Sequence, residues 1–180
     1  SSPDAILITR VSDGQIVEVN EGFSHIAGYS REEALGNSTI TLEFWANPKD
    51  RESVGSALRE QSKIRGVEYN FRSKSGGILN CLMSAEIILL DNVPHVLSVI
   101  HDVSERKQAE ETIRQSEANF REVFDNTAHG IFIIDVTEDG NFRIGNSNKA
   151  EEIATTIRRE DVMGKLLKDA FPPEIADMLH

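Results

Sequence analysis

Val67-Glu-Tyr-Asn-Phe71 alternates apolar and polar residues, Ser73-Lys-Ser-Gly-Gly77 turns, and Ile78 to Leu90 runs back. Asp91-Asn92 turns again, and Val96 to Val103 supplies one more strand. Short turns between neighbours predict antiparallel pairing. If residues pair symmetrically about Ser75, Asn70 and Asn80 stand opposite each other on one sheet face.

Two further strands lie upstream. Ala5-Ile6-Leu7-Ile8-Thr9 and Gln15 to Val19 flank Asp13-Gly14, a two-residue hairpin signal. Between these and Val67 the pattern is helical. Ser30-Arg-Glu-Glu33 is a capping box, and Gly36 closes the short helix it opens. Asn47-Pro48 is an N-cap followed by proline at the first helical position, with Val54, Ala57, Leu58 and Gln61 on one face. The order predicts an α+β unit over 1–103, with five strands and the helices bunched between the second and third.

From Ser104, the expected N-cap, to Ala128 neither glycine nor proline interrupts the chain. Residues 104–128 are expected to form one helix about 35 Å long at ~1.5 Å per residue. Glu110 with Arg114 and Glu117 with Arg121 are i,i+4 pairs in the favourable order. Ile113, Phe120 and Val123 make a heptad-like seam that suits a parallel dimer, although one amphipathic helix packed on its own domain explains the same pattern.

Residues 129–180 repeat the opening of the first unit. Gly130-Ile-Phe-Ile-Ile134 matches Ala5 to Thr9, Asp139-Gly140 matches Asp13-Gly14, and Glu160 to Gly164 matches Glu32 to Gly36. Asn148 precedes Gly164 by the same interval as Asn20 precedes Gly36. Pro172-Pro173-Glu174 restarts a helix, and no counterpart of the three long strands follows. Ile131 to Ile134 therefore lack a cover, and a fragment, or a fold completed by another chain, is expected.

Composition narrows the function. Among 180 residues, 30 acidic side chains face 19 basic ones, a net charge of -11, which repels phosphate backbones and anionic lipid. Nucleic-acid binding is not expected. No apolar run approaches the roughly 20 residues of a membrane helix. Cys81 is the one cysteine and lies in an apolar strand pattern, which reads as a buried thiol in a reducing, cytoplasmic compartment. The five histidines show no metal-ligand spacing, and no catalytic cluster is apparent.

In their order and spacing, Ser2 to Ile6, Val19-Asn20, Gly28-Tyr29-Ser30 with Glu32 to Gly36, Pro48-Lys-Asp-Arg51 and Asp102-Val103-Ser104-Glu105-Arg106-Lys107 resemble the PAS sensory domain with its C-terminal PAC portion. Ser116 to Arg121 with Phe124 resembles the entry to a second, incomplete PAS copy. The resemblance implies a five-stranded antiparallel sheet with short helices closing a pocket over one face. It also implies a signal leaving through Asp102, Val103 and Ser104 toward an output domain in the same protein, such as a histidine kinase or a cyclic-dinucleotide enzyme. The candidate pocket residues are Asn70, Asn80, Ile100, Tyr29 and Trp45.

The resemblance names no cofactor. Photosensors of the light-oxygen-voltage type carry two asparagines at the spacing of Asn70 and Asn80, and their amides bond a flavin edge. Here Asn37-Ser38-Thr39 replaces the region of the reactive cysteine, and Ile100 stands at the flavin-contacting glutamine. The helix from Asp50 to Gln61 lacks the histidine that would hold haem. His101-Asp102 superficially resembles a kinase phosphoacceptor box but ends a strand, and Glu33-Ala34-Leu35 lies in a capping box, not in a phosphodiesterase. On hydrophobicity alone, Val67, Tyr69, Phe71, Leu79, Cys81 and Met83 belong to the core face and the two asparagines to solvent. The chain is thus expected to be a sensing and dimerising module that binds a small ligand, or else a ligand-free interaction scaffold, for example in a transcription regulator.

Overall fold

The computed structural model describes residues 2–170. The helix restart at Pro172-Pro173-Glu174 lies outside these residues. The chain divides into two compact units, Ser1–Glu110 and Glu111–His180.

In the first unit, β1 (Ala5–Arg10) and β2 (Ile16–Val19) form the hairpin. Helices α1 (Glu21–Ala27), α2 (Arg31–Ala34) and α3 (Pro48–Gln61) follow, then β3 (Lys63–Arg72), β4 (Ile78–Leu90) and β5 (Val93–Asp102). All neighbouring strands are antiparallel, in the order β2-β1-β5-β4-β3. The caps act as their residue types dictate. Ser30 and Glu33 bond each other's backbone in a complete capping box, and Asn47 accepts from the Lys49 N–H ahead of Pro48. Asp91 and Asn92 both take positive φ, 49° and 65°, which suits the twist of the β4–β5 hairpin.

β3 begins four residues earlier than its alternation suggests. Gly66, at φ 59°, sits in a bulge between Ile64 and Val67, so this glycine bends the strand instead of preceding it. The core lies between the sheet and the three helices, with Phe23, Phe44, Phe71, Cys81 and Ile100 at its centre.

Helix α4 spans Ser104–Asn126. Ser104 is its first residue and not its cap: its N–H donates to Asp102 Oδ1 at 2.8 Å. Neither expected side-chain pairing on α4, Glu110 with Arg114 or Glu117 with Arg121, forms among the described residues. Glu110 meets Arg106, while Arg114 donates to Glu111 through bonds of 2.8 and 2.7 Å. These bonds, with one from Gln115, hold the Glu111 carboxyl down at about 2.

The second unit contains β6 (Phe132–Val136) paired antiparallel with β7 (Phe142–Ser147), then α5 (Lys149–Thr155), α6 (Arg159–Val162) and α7 (Leu167–Ala170). Its core is small: Ile144, Val162 and Leu167, with Phe132, Phe142, Ile157 and Ala170 against them. Ile131, Ile133 and Ile134 stay exposed.

The two units share a local hydrogen-bond pattern. Asn20 Oδ1 accepts from Ile6 and Phe23 N–H, and its Nδ2 donates to the Asp4 carbonyl. Asn148 Oδ1 accepts from Ile131 and Glu151 N–H, and its Nδ2 donates to the His129 and Phe124 carbonyls. Gly36 N–H reaches the Ile16 carbonyl at 3.0 Å, and Gly164 N–H the Ile144 carbonyl at 2.8 Å.

Candidate functional site: an interior cavity and the exit to α4

A cavity of about 80 Å³ lies between the inner sheet face and α3. Its deep wall is apolar, with Leu7, Phe71, Met83 and Ile100 all buried. Its outer end is made by Gly14 of the β1–β2 turn, Thr39, and Arg51 and Gly55 of α3. Arg51 shares the α3 face of Val54 and Leu58, one and two turns away.

Of the expected pocket residues, the structure brings Ile100 and Trp45 to the cavity. Trp45 Nε1 donates to Thr39 Oγ1 at 3.1 Å, and its ring meets Tyr69 edge-on at 5.7 Å and Phe71 at 4.7 Å. Tyr29 is not on the cavity wall. Its hydroxyl donates to the Leu42 carbonyl at 2.7 Å, and the cation over its ring is the protein's own Lys74, at 5.8 Å. Tyr29 and Trp45 therefore do not share the cavity wall.

Asn70 and Asn80 pair in the expected register, but on the other face. Asn70 is exposed and Asn80 half-buried, while their neighbours Phe71 and Cys81 point into the core. The aromatic and sulfur-bearing side chains bury more apolar area than an amide, so that face turns inward. The inward placement of the amide pair is corrected accordingly. The amides that would grip a flavin edge lie outside the cavity, which is small beside the ~300 Å³ or more of typical ligand pockets. No histidine lines the cavity to hold haem. Among the described residues no cluster of His, Cys, Asp or Glu could hold a metal ion. Cys81 is buried in the core, and burial, with Asp102 adding to it, pushes its thiol up to about 12.

The polar side chains that line the cavity, Thr9, Thr39, Arg51 and Ser98, are not among the pocket residues expected from the sequence. Arg51 carries a readable signal, a charged residue at the position i−3 to Val54 and i−7 to Leu58 on an otherwise apolar helix face.

The floor of the cavity is tied to the start of α4. Two residues beyond Ile100, Asp102 Oδ1 accepts from both the N–H and the Oγ of Ser104, at 2.8 and 2.5 Å. Ser104 Oγ also accepts from the Asn80 N–H at 2.8 Å, and the Val103 N–H donates to the Asn80 carbonyl at 2.8 Å. Val103 is buried, and Lys107 in the first turn of α4 pairs with Glu68 of β3. Asn80 thus serves through its backbone, as a clasp on the exit. His101 lies at the exposed end of β5, its Nδ1 2.7 Å from Asp4 Oδ1. No helix among the described residues is long and apolar enough to cross a membrane.

Comparison with known proteins agrees with this architecture. The chain is 25% identical over 138 residues to the sensor histidine kinase TmoS of Ectopseudomonas mendocina, covering 73% of this chain and 14% of that protein. It is 25% identical over 168 residues to sporulation kinase E of Bacillus subtilis, covering 92% of this chain and 21% of that protein. The chain therefore spans about a fifth or less of the length of these two relatives. A crystal structure of a PAS domain from Colwellia psychrerythraea superposes with a TM-score of 0.50 at 28% identity, covering 58% of this chain and 89% of that one. Residues 3–105 match the family described as PAS domain. With the cavity, the five-stranded sheet and the strand-to-helix exit all within that span, the chain belongs to the PAS domain family.

Proposed function

We propose that the chain is the cytoplasmic, non-catalytic sensing region of a larger signalling protein of the sensor-kinase kind. A small ligand in the cavity shifts β4 and β5, and the shift passes through Asp102, Val103 and Ser104 into α4 toward an output domain. The observation that carries this reading is the clasp itself, because Ile100 lines the cavity and Asp102, two residues on, holds the first turn of α4. The second unit is proposed to be the N-terminal part of a second PAS copy. Its support is the shared pattern of Asn20 and Asn148, Gly36 and Gly164.

The clasp is tested by replacing Asp102 and Ser104 together with alanine. Losing charge-assisted bonds worth ~1.5–3 kcal/mol each should speed hydrogen exchange of the first α4 amides by about tenfold or more. The amides of β1 and β3 should keep their protection. Unchanged exchange at Arg106 to Glu110 would remove the clasp as a relay.

Homodimerisation through α4 is part of the same proposal. Ile113, Phe120 and Val123 are exposed along the helix, and Phe120 stacks on Phe124 at 5.2 Å. Light scattering at micromolar concentration is expected to show a dimer, and Phe120→Glu a monomer. A wild-type chain that stays monomeric refutes the seam.

The small size of the cavity favours a second reading, a ligand-free scaffold whose own side chains fill the space. Native mass spectrometry of the purified chain separates the two, since a reproducible small-molecule adduct excludes the scaffold.

A further inference from the structure

Thirty acidic side chains surround 19 basic ones in this chain, and several arginines hold carboxylates. Arg10 takes Asp13, Arg31 takes Glu18, and Arg114 takes Glu111. Arg51 takes none. Half-buried on α3, it is the one charged residue on the cavity wall, and no hydrogen bond or ion pair engages its guanidinium among the described residues. In so acidic a protein, a cation held off every carboxylate and set against an apolar cavity is left with its hydrogen-bonding capacity unused.

The surroundings keep that guanidinium free of side chains. A Cβ on Gly14 would come 3.5 Å from one of its terminal nitrogens, and a Cβ on Gly55 would come 3.4 Å from the other. Gly55 lies inside α3, where glycine is unfavourable to the helix. Thr39 stands at the same end; its oxygen already accepts from Trp45, and its own O–H remains to donate.

We propose that the cavity takes a short aliphatic monocarboxylate, with its carboxylate on Arg51 and Thr39 and its tail against Leu7, Met83 and Ile100. This rests on reading the cavity as the sensing site. The charge follows from Arg51 and from the absence of any acidic lining residue. A second carboxylate would meet only the Thr9 and Ser98 hydroxyls and no second cation, which disfavours dicarboxylates. The length follows from volume. The 80 Å³ cavity holds a tail of only a few carbons, and is well short of the ~150 Å³ that admits a benzene ring.

The test is calorimetric titration of the full chain with acetate, butyrate, decanoate and 1-butanol, with methyl NMR shifts of Val54, Met83 and Ile100 to locate each. Butyrate is expected to bind best and to move those methyls, with 1-butanol weaker by about tenfold or more. Arg51→Gln should bring butyrate down to the level of 1-butanol and leave 1-butanol unchanged. Arg51→Lys should recover part of the loss. The melting temperature of the unliganded variants should match the wild type, since Arg51 holds no partner. If 1-butanol matches butyrate, or Arg51→Gln binds butyrate undiminished, the carboxylate assignment is overturned while the cavity stands as a ligand site. If none of the four compounds moves the cavity methyls, the carboxylate assignment falls, and the adduct seen or not seen by native mass spectrometry decides separately whether the sensing reading falls with it.

Discussion

Replacing Asn148 with alanine should unfold the second unit and leave the first intact. Asn148 is fully buried and makes four side-chain hydrogen bonds, to Ile131 and Glu151 N–H and to the Phe124 and His129 carbonyls. Each group orphaned in the interior costs ~1–3 kcal/mol, so even two of them cost about 2–6 kcal/mol. A unit of this size holds roughly 3–9 kcal/mol in total, and its core rests on Ile144, Val162 and Leu167. Asn20 makes three of the corresponding bonds, but it is half-buried beside a far larger core. Asn20→Ala should therefore weaken the first unit by about 1–3 kcal/mol without unfolding it. Hydrogen exchange reads the difference: amides of β6 and β7 lose protection in Asn148→Ala, and those of β1 to β5 do not. Retained protection in β6 and β7 would show that Asn148 is not what closes that unit.

The importance of Asn148 could be read from its interval to Gly164, which equals that of Asn20 to Gly36. The sheet was similarly legible. Asp13-Gly14, Ser73 to Gly77 and Asp91-Asn92 are turn chemistry with few alternatives, and pairing about Ser75 placed Asn70 opposite Asn80 in the observed register. The face was harder. Two considerations competed at the asparagines: a resemblance that turned them inward and an alternation that turned Tyr69, Phe71, Cys81 and Met83 inward. The apolar face won, because no polar partner inside offsets the burial of two amides. The places of Tyr29 and Arg51 depend on something else. Whether Tyr29 reaches a cavity or the Leu42 carbonyl depends on the path of residues 37–47, which has no periodicity to read. Arg51 follows a proline-led helix start, and only the packing of α3 on the sheet turns it toward the cavity.

Phe71→Ala should cost the first unit about 3–5 kcal/mol and turn its small cavity into one that admits a ring. Phe71 is fully buried, stacked on Phe44 at 4.6 Å and tilted against Trp45 at 4.7 Å. Its flanking backbone is fixed on both sides: Ala46 N–H donates to the Asn70 carbonyl at 3.1 Å, and Arg72 N–H to the Phe44 carbonyl at 2.7 Å. With β3 held in this way, the segment carrying Phe44 and Trp45 has little freedom to collapse into the space, which puts the cost toward the upper end for a large-to-small change. Because Phe71 already lines the cavity, the vacated volume adds to the existing 80 Å³, and the sum should exceed the ~150 Å³ that takes benzene. Thermal unfolding should fall by roughly 12–40 °C, at ~4–8 °C per kcal/mol for a domain near 100 residues. Saturating benzene should restore several degrees in Phe71→Ala and none in the wild type. Phe71→Leu, which refills most of the space, should lie between the two in stability and gain nothing from benzene. A loss below about 1 kcal/mol in Phe71→Ala would mean that Phe44 and Trp45 collapse after all, and that the cavity wall is softer than its hydrogen bonds indicate.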